Sequence, residues 1–302
     1  MSRPLYGAIE AGGTKFVCAA AHGVDSQVAD TRIETTDPAA TLQAVERFFA
    51  GIEARLGAFR SFGIATFGPV DLRPGTSTFG RMLATPKPGW ANTALLAPIA
   101  TRFRCPVAID TDVNAAAIAE AEHGAGRGCG TVVYVTVGTG IGGGAVIDGR
   151  TLRGLLHPEM GHIRVLRDER DRDFAGVCPF HGDCLEGLAS GTAIRARYGA
   201  PLDRLARPQE AQALIGYYLG QLAANVILTL SAERIVFGGG VMRSDGLLGS
   251  IRESAVRTLN GYPSVGADLA SLERIVVAAG LGERSGLVGA IRLAETAARQ
   301  ER

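Results

Sequence analysis

Two glycine-rich turns, each fed by an apolar run, set the strongest limit on how this chain can fold: Glu10-Ala-Gly-Gly-Thr-Lys15 and Gly138-Thr-Gly-Ile-Gly-Gly-Gly144. Glycine at such a turn lets backbone N–H groups approach phosphate oxygens with no Cβ in the way, and the hydroxyls of Thr14 and Thr139 add donors. Gly7 and Gly12 have the spacing of a P-loop, but Gly13 and Thr14 intervene before Lys15, so that reading fails. Gly138, Gly140 and Gly143 fit the dinucleotide fingerprint, which must open a helix. Here Gly144 leads into Ala145-Val-Ile147 and an Asp148-Gly149 turn, the pattern of a returning strand and a further hairpin. Apolar runs at 5–9 and 16–21 frame the first turn in the same way. Two such hairpins point to two halves that hold one nucleotide from both sides, as a phosphotransferase does; tight hairpins without a ligand are the alternative.

A chain of 302 residues suits two domains of ordinary size. The net charge of +1 gives no reason to expect nucleic acid or a membrane surface as partner. Only Lys15 and Lys87 among the 31 basic residues are lysines, and both fall inside motifs. No apolar run approaches the roughly 18 residues that span a bilayer, and no signal-peptide pattern opens the chain. Five cysteines (18, 105, 129, 178 and 184), an odd number, do not resemble a disulfide framework, so a cytoplasmic location is expected.

Along the chain, strands are predicted at 5–9, 16–21 and 28–35, a helix at 41–56, a strand at 62–67, a helix at 94–103, a strand at 107–109 and a helix at 114–124. A second pass then begins with a strand at 131–137 and the glycine hairpin. Residues 150–190 read as irregular. A long amphipathic helix at 210–230, a strand at 234–237, a third glycine turn at Gly238-Gly-Gly240, a helix at 247–259, a strand at 275–278 and a helix at 286–298 complete it. Strand meanders followed by helix–strand units, twice over, indicate a duplicated α/β architecture with mixed sheets.

Between the halves, His162 precedes Cys178-Pro-Phe-His181-Gly-Asp-Cys184. Two thiolates and two imidazoles suit tetrahedral Zn²⁺ with no open position, hence a structural site that pins an irregular loop. His157 could replace His162, and reduced, unliganded cysteines are the bland alternative. Asp110-Thr-Asp112-Val-Asn114 lies where a strand ends and a helix begins, the usual place for site residues in an α/β sheet. A sugar hydroxyl attacking a γ-phosphate needs a carboxylate to accept its proton. Either aspartate can serve, although Asp112 is also a natural helix N-cap. Glu159 and Glu186 flank the Cys/His loop as paired acceptors suited to a polyol.

Taken together with Gly68-Pro-Val-Asp71, Thr85-Pro-Lys-Pro-Gly-Trp90, His157-Pro-Glu-Met-Gly-His162 and Cys184-Leu-Glu-Gly-Leu-Ala-Ser-Gly191, these motifs occur in the order seen in ROK-family sugar kinases. The chain most resembles the bacterial fructokinase branch. The resemblance implies an actin-like ATPase-domain fold with two lobes and a central cleft. The first lobe would be 1–112, joined by the C-terminal helix 286–302; the second, 113–285, would carry the zinc-binding loop 157–190. It implies Asp112 as catalytic base. The ATP site would comprise Gly12, Gly13, Thr14, Lys15, Gly138, Thr139, Gly140 and Gly238 to Gly240, Gly239 included. Gly68, Pro69, Thr111, Asp112, Glu159, His162 and Glu186 would meet the sugar. Zn²⁺ would be held by His162, Cys178, His181 and Cys184, with Mg²⁺ accompanying ATP. A homodimer and a small-molecule sugar substrate are expected, D-fructose first, with phosphorylation at its 6-hydroxyl. Another hexose (glucose, mannose or N-acetylmannosamine) or a non-catalytic sugar sensor of the same family are the alternatives. Two departures stand out: Glu10 replaces a frequent aspartate, and Thr111 replaces the asparagine typical of the glucokinase branch. The repressors of the family carry an N-terminal DNA-binding extension, and none is expected here, since the sequence opens close to the first phosphate strand.

Overall fold

The computed structural model describes residues 3–300, so positions 1, 2, 301 and 302 of the expected lobes lie outside the described residues. In the first half, β1 (Tyr6–Ala11), β2 (Lys15–Ala21) and β3 (Gln27–Glu34) form an antiparallel meander. After α1 (Pro38–Leu56), strand β4 (Ser61–Thr66) pairs in parallel with β1. Helix α2 (Leu96–Phe103) leads to β5 (Val107–Thr111), parallel to β4, and α3 (Asp112–His123) follows directly. The sheet order is β3-β2-β1-β4-β5. Helix α1 begins earlier than its apolar period suggests, because Asp37 accepts from the Ala40 N–H at 3.0 Å and Pro38 occupies the first turn.

The second half repeats this topology. Strands β6 (Thr131–Val137), β7 (Ile141–Ile147) and β8 (Arg150–Thr151) are an antiparallel meander. Helices α4 (Leu185–Ala189), α5 (Gly191–Tyr198) and α6 (Gln209–Leu230) precede β9 (Arg234–Gly238), which is parallel to β6. Helices α7 (Leu247–Leu259) and α8 (Leu269–Ile275) lead to β10 (Val276–Ala278), parallel to β9, and α9 (Ser285–Gln300) closes the chain. The order β10-β9-β6-β7-β8 mirrors the first sheet, with the meander on one side of the central strand and the parallel strands on the other. Asp148 and Gly149 both carry positive φ (50° and 74°), as the type I′ turn between β7 and β8 requires.

Two compact units result: Met1–Ala119 with Arg153–His157 and Arg284–Arg302, and Glu120–Leu152 with Pro158–Glu283. The division runs inside α3, after Ala119, whereas the sequence predicts it at 112. In the first unit large apolar side chains lie on the face of the sheet covered by α1 and α2, among them Phe49, Phe62, Ile64 and Phe103. The opposite face is built from Ala8, Ala19, Ala21 and Ala65, against which α9 sets Leu287, Ala290 and Ile291. Small residues let α9 approach closely: a Cβ on Gly63 of β4 would lie 2.0 Å from the Ala290 carbonyl oxygen.

Helix α6 anchors the second unit, with 14 of its 22 residues buried. It is long and apolar enough to cross a membrane by length and composition, although polar residues interrupt its apolar run. Its burial against α7 and the second sheet accounts for that composition. It is therefore apolar nearly all round where the sequence reading expected an amphipathic helix. The short helices α4, α5 and α8 are not predicted from the sequence.

Candidate active site

The first glycine turn is closed by the Gly12 N–H donating to the Lys15 carbonyl at 3.0 Å. Thr35, just past β3, braces it: its N–H donates to Thr14 O (3.0 Å) and its hydroxyl to Gly12 O (2.8 Å). The Thr85–Trp90 motif in turn holds that brace, with Lys87 Nζ donating to Thr35 O (3.2 Å) and Trp90 Nε1 to Thr36 O (2.9 Å). Gly13 faces open space, and the side chains of Thr14 and Lys15 are exposed. Glu10, one residue before the end of β1, is half-buried and reaches the start of α9 beside Gly286.

At the β5–α3 junction the structure separates the roles of the two aspartates. Asp110 is fully buried and accepts from the Thr111 N–H (2.8 Å), from Asn114 Nδ2 (2.8 Å) and from the Arg153 guanidinium. The helix N-cap is Thr111, whose hydroxyl accepts from the Asn114 N–H at 3.1 Å. Asp112 is therefore not the cap; it is the first helical residue, half-buried, and its Oδ1 accepts only locally, from the Val113 N–H at 2.9 Å. Burial pushes its carboxyl up to about 6, against the pull of the Val113 N–H. A base must be ionised to accept a proton, so turnover that depends on Asp112 falls as pH drops through about 6. The expected pH profile of kcat/KM has an acidic limb there, and the Asp112→Asn residual rate lacks it.

Close by in sequence to the end of β4, Gly68 and Pro69 are joined by a cis peptide bond. Asp71 is fully buried and holds the following loop through Arg73, Thr76 and Thr78, which keep its carboxyl well below the usual range; Arg73 contributes most. Val70 N–H donates to His157 Nε2 at 3.3 Å. His157 is thereby engaged in the first unit and does not substitute for His162 in the Cys/His cluster.

The second glycine turn docks on α5. Gly138 N–H donates to Gly140 O (2.9 Å), Gly191 N–H to Gly138 O (2.7 Å), and the Thr192 hydroxyl to Thr139 O (2.8 Å). Gly239 sits at φ 91°, with Val137 backbone 2.5 Å from where a Cβ would stand, so only glycine fits. A pocket of ≈ 460 Å³ opens beside these turns, its lining including Gly138, Thr139 and Gly240 and the apolar Ile194, Leu202 and Val241. Arg195, Arg204 and Arg243 also line it. No local pattern in the sequence marks these arginines: the helix that carries Arg195 is short and lacks an apolar period.

His162, Cys178, His181 and Cys184 bring one ligand atom each to within 4.8 Å of one another. Cys178 Sγ lies 3.6 Å from His162 Nδ1 and 3.7 Å from His181 Nδ1, and Cys184 Sγ lies 3.6 Å from His162 Nδ1. A tetrahedral Zn²⁺ with its usual bond lengths spaces S and N ligands about 3.5 Å apart, so the donor set fits that ion. Burial pushes the Cys184 thiol up to about 11, so it needs a cation to become a thiolate. All five cysteines are free of disulfides. Glu159 is exposed, and its carbonyl accepts from the His162 N–H at 3.0 Å. Glu186, on α4 next to the cluster, accepts from the Ile141 N–H at 2.9 Å, and its carboxylate fills the space where a Gly140 Cβ would be. The Cys/His loop is thus tied to the second glycine turn by one side chain.

The sequence pattern of the ROK family matches residues 6–297. The chain belongs to the ROK family. Among ROK relatives, it is 47% identical over 263 residues to a fructokinase of Zymomonas mobilis subsp. mobilis, covering 86% of this chain and 87% of that one. The ROK hexokinase of Thermus thermophilus superimposes with a TM-score of 0.77 at 26% identity, covering 98% of this chain and 99% of that one. A ROK glucokinase of Streptomyces griseus, solved with glucose and AMPPNP, gives 0.75 at 26% identity, covering 97% and 99%. The fold is the actin-like ATPase fold of ROK hexokinases.

Proposed function

We propose that this ROK-family chain is a fructokinase that transfers the γ-phosphate of ATP to the 6-hydroxyl of D-fructose, with Asp112 as general base. The observation that carries the chemistry is the division of roles over 110–112. Asp110 is committed to Arg153, Thr111 caps the helix, and the Asp112 carboxylate is left with backbone contacts and a raised pKa. The choice of sugar rests on the 47% identity to the Zymomonas fructokinase.

In this reading the 6-hydroxyl proton passes to Asp112 as the oxygen attacks the γ-phosphorus and the bond to the ADP oxygen breaks. Backbone N–H groups of Gly12 to Lys15 and Gly138 to Gly140, with Thr14 and Thr139, receive phosphate oxygens. The pocket beside Gly238, Gly239 and Gly240 takes the adenosine, its apolar wall against the base. Gly68, Pro69, Thr111, Glu159, His162 and Glu186 form the sugar side. The Glu10 carboxylate, a hard oxygen donor, would help hold the Mg²⁺ that accompanies ATP, and that ion would supply positive charge to the phosphates. Zn²⁺ held by His162, Cys178, His181 and Cys184 is structural. The protein acts as a homodimer, which analytical ultracentrifugation checks.

A coupled ADP-release assay with Mg-ATP against fructose, glucose, mannose and N-acetylmannosamine tests the reading. Fructose is expected to lead by about tenfold or more in kcat/KM, roughly 1.4 kcal/mol of transition-state discrimination. Preference for another sugar moves the specificity and keeps the mechanism. No turnover in zinc-replete protein replaces the enzyme with a sugar-binding regulator.

A further inference from the structure

We infer that the segment Arg153–His157 is a strap that positions the acceptor side of the reaction, with Arg153 and His157 as its two anchors. The inference rests on the kinase reading above.

The chain on either side of these residues belongs to the second unit, yet Arg153–His157 itself groups with the first. Apolar burial does not explain that: Leu155, at the middle of the segment, is 93% exposed. The segment is a tight turn closed by the Gly154 N–H donating to Leu156 O at 2.9 Å, with a polar anchor at each end. At one end the Arg153 guanidinium meets Asp110, a fully buried carboxylate that also accepts from the Thr111 N–H and Asn114 Nδ2. Those groups define the β5–α3 junction on which Asp112 stands. A buried carboxylate needs its cation, so Arg153 fixes the junction's geometry from a distance of 43 positions in sequence.

At the other end His157, also buried, accepts the Val70 N–H through Nε2, which fixes the ring with its proton on Nδ1. Val70 directly follows Gly68-Pro69, the proposed sugar contact. One short segment therefore ties together the loop after β4 and the β5–α3 junction, one bearing on sugar placement and the other on the base. Both anchors are positioning residues: Arg153 acts through Asp110 on the base, and His157 acts through Val70 on the sugar.

The roles predict a split in kinetics. Arg153→Gln lowers kcat by about 10–100-fold with fructose KM within about threefold, since a displaced base costs rate more than binding. His157→Leu raises fructose KM by about tenfold and leaves kcat within about threefold. Arg153→Lys keeps a cation on Asp110, and His157→Gln keeps an acceptor for the Val70 N–H, so each recovers most of its loss. Hydrogen exchange of the full-length protein without sugar supplies a second readout: Arg153→Gln speeds exchange over 110–116, and His157→Leu over 68–72. Should Arg153→Gln fail to fold, the double variant Asp110→Asn/Arg153→Gln removes the carboxylate charge together with its arginine and is measured in its place. Exchange and rates unchanged within about twofold overturn the strap. So does a uniform loss in which kcat and KM move together and the conservative variants give no rescue. Wild-type protein without turnover overturns the kinase reading alone, because the exchange pattern is read without substrate.

Discussion

Asp112→Asn is expected to lower kcat by about 10²–10⁴-fold while the dissociation constant for fructose stays within about threefold. Asparagine keeps the shape at the first turn of α3 and can still accept from the Val113 N–H, so local structure is preserved. What it cannot do is take a proton. The same substitution removes a carboxylate whose ionised form is disfavoured by burial. A carboxyl raised to about 6 in the fold costs stability that builds as pH rises from its ordinary value to about 6 and is complete above it. The variant is therefore expected to melt at a higher temperature than wild type at pH 8, with a gain on the order of 1–3 kcal/mol that is roughly halved at pH 5 and gone by about pH 3.5. Steady-state rates, isothermal titration with fructose and melting curves at these pH values read all three effects. A variant with near-normal kcat would remove Asp112 from the mechanism. Asp110→Asn is the informative contrast: it removes the carboxylate that Arg153 meets and should cost stability, because Asp110 is a fully buried, ion-paired charge.

That contrast marks where sequence reading stops. Asp110 and Asp112 are indistinguishable in the run Asp110-Thr-Asp-Val-Asn114, since the partner that commits Asp110 lies on Arg153. His157 stands five positions from His162 and invites assignment to the same cluster. Its partner is Val70, 87 positions away, and no local pattern announces that. Glycine hairpins are different: the strand–turn–strand alternation and the turn chemistry are local, so both meanders were legible, as was their duplication. The Cys/His group was legible for the same reason, three of its members lying within one short loop. Helices α5 and α8 escaped because they are short and held by tertiary contacts, with caps at Ser190 and Asp268 as their main local signals. With α5 went Arg195 and the docking of Gly191 and Thr192 on the second glycine turn.

Cys178→Ser carries the second large effect. Wild-type protein purified without added metal is expected to hold about one Zn²⁺ per chain, and the variant to lose it on dialysis, since serine is a poor ligand for this ion. Structural zinc in small domains supplies about 10–16 kcal/mol of folding free energy; here α6 and the second sheet form a core of their own, so the loss should fall on the loop. Hydrogen exchange over 162–190 should accelerate while α6 stays protected. Activity should fall by at least about tenfold through Glu186: α4 begins one residue after Cys184, and only an ordered loop holds the Glu186 carboxylate on the Ile141 N–H beside the second glycine turn. Cys129→Ser, whose sulfur meets Arg234 and lies outside the cluster, should change none of these. Less than about half an equivalent of zinc in the wild type would sink the metal assignment. Zinc lost with Glu186 still ordered and activity intact would sink the link between metal and site, because the loop would then hold its carboxylate by packing alone.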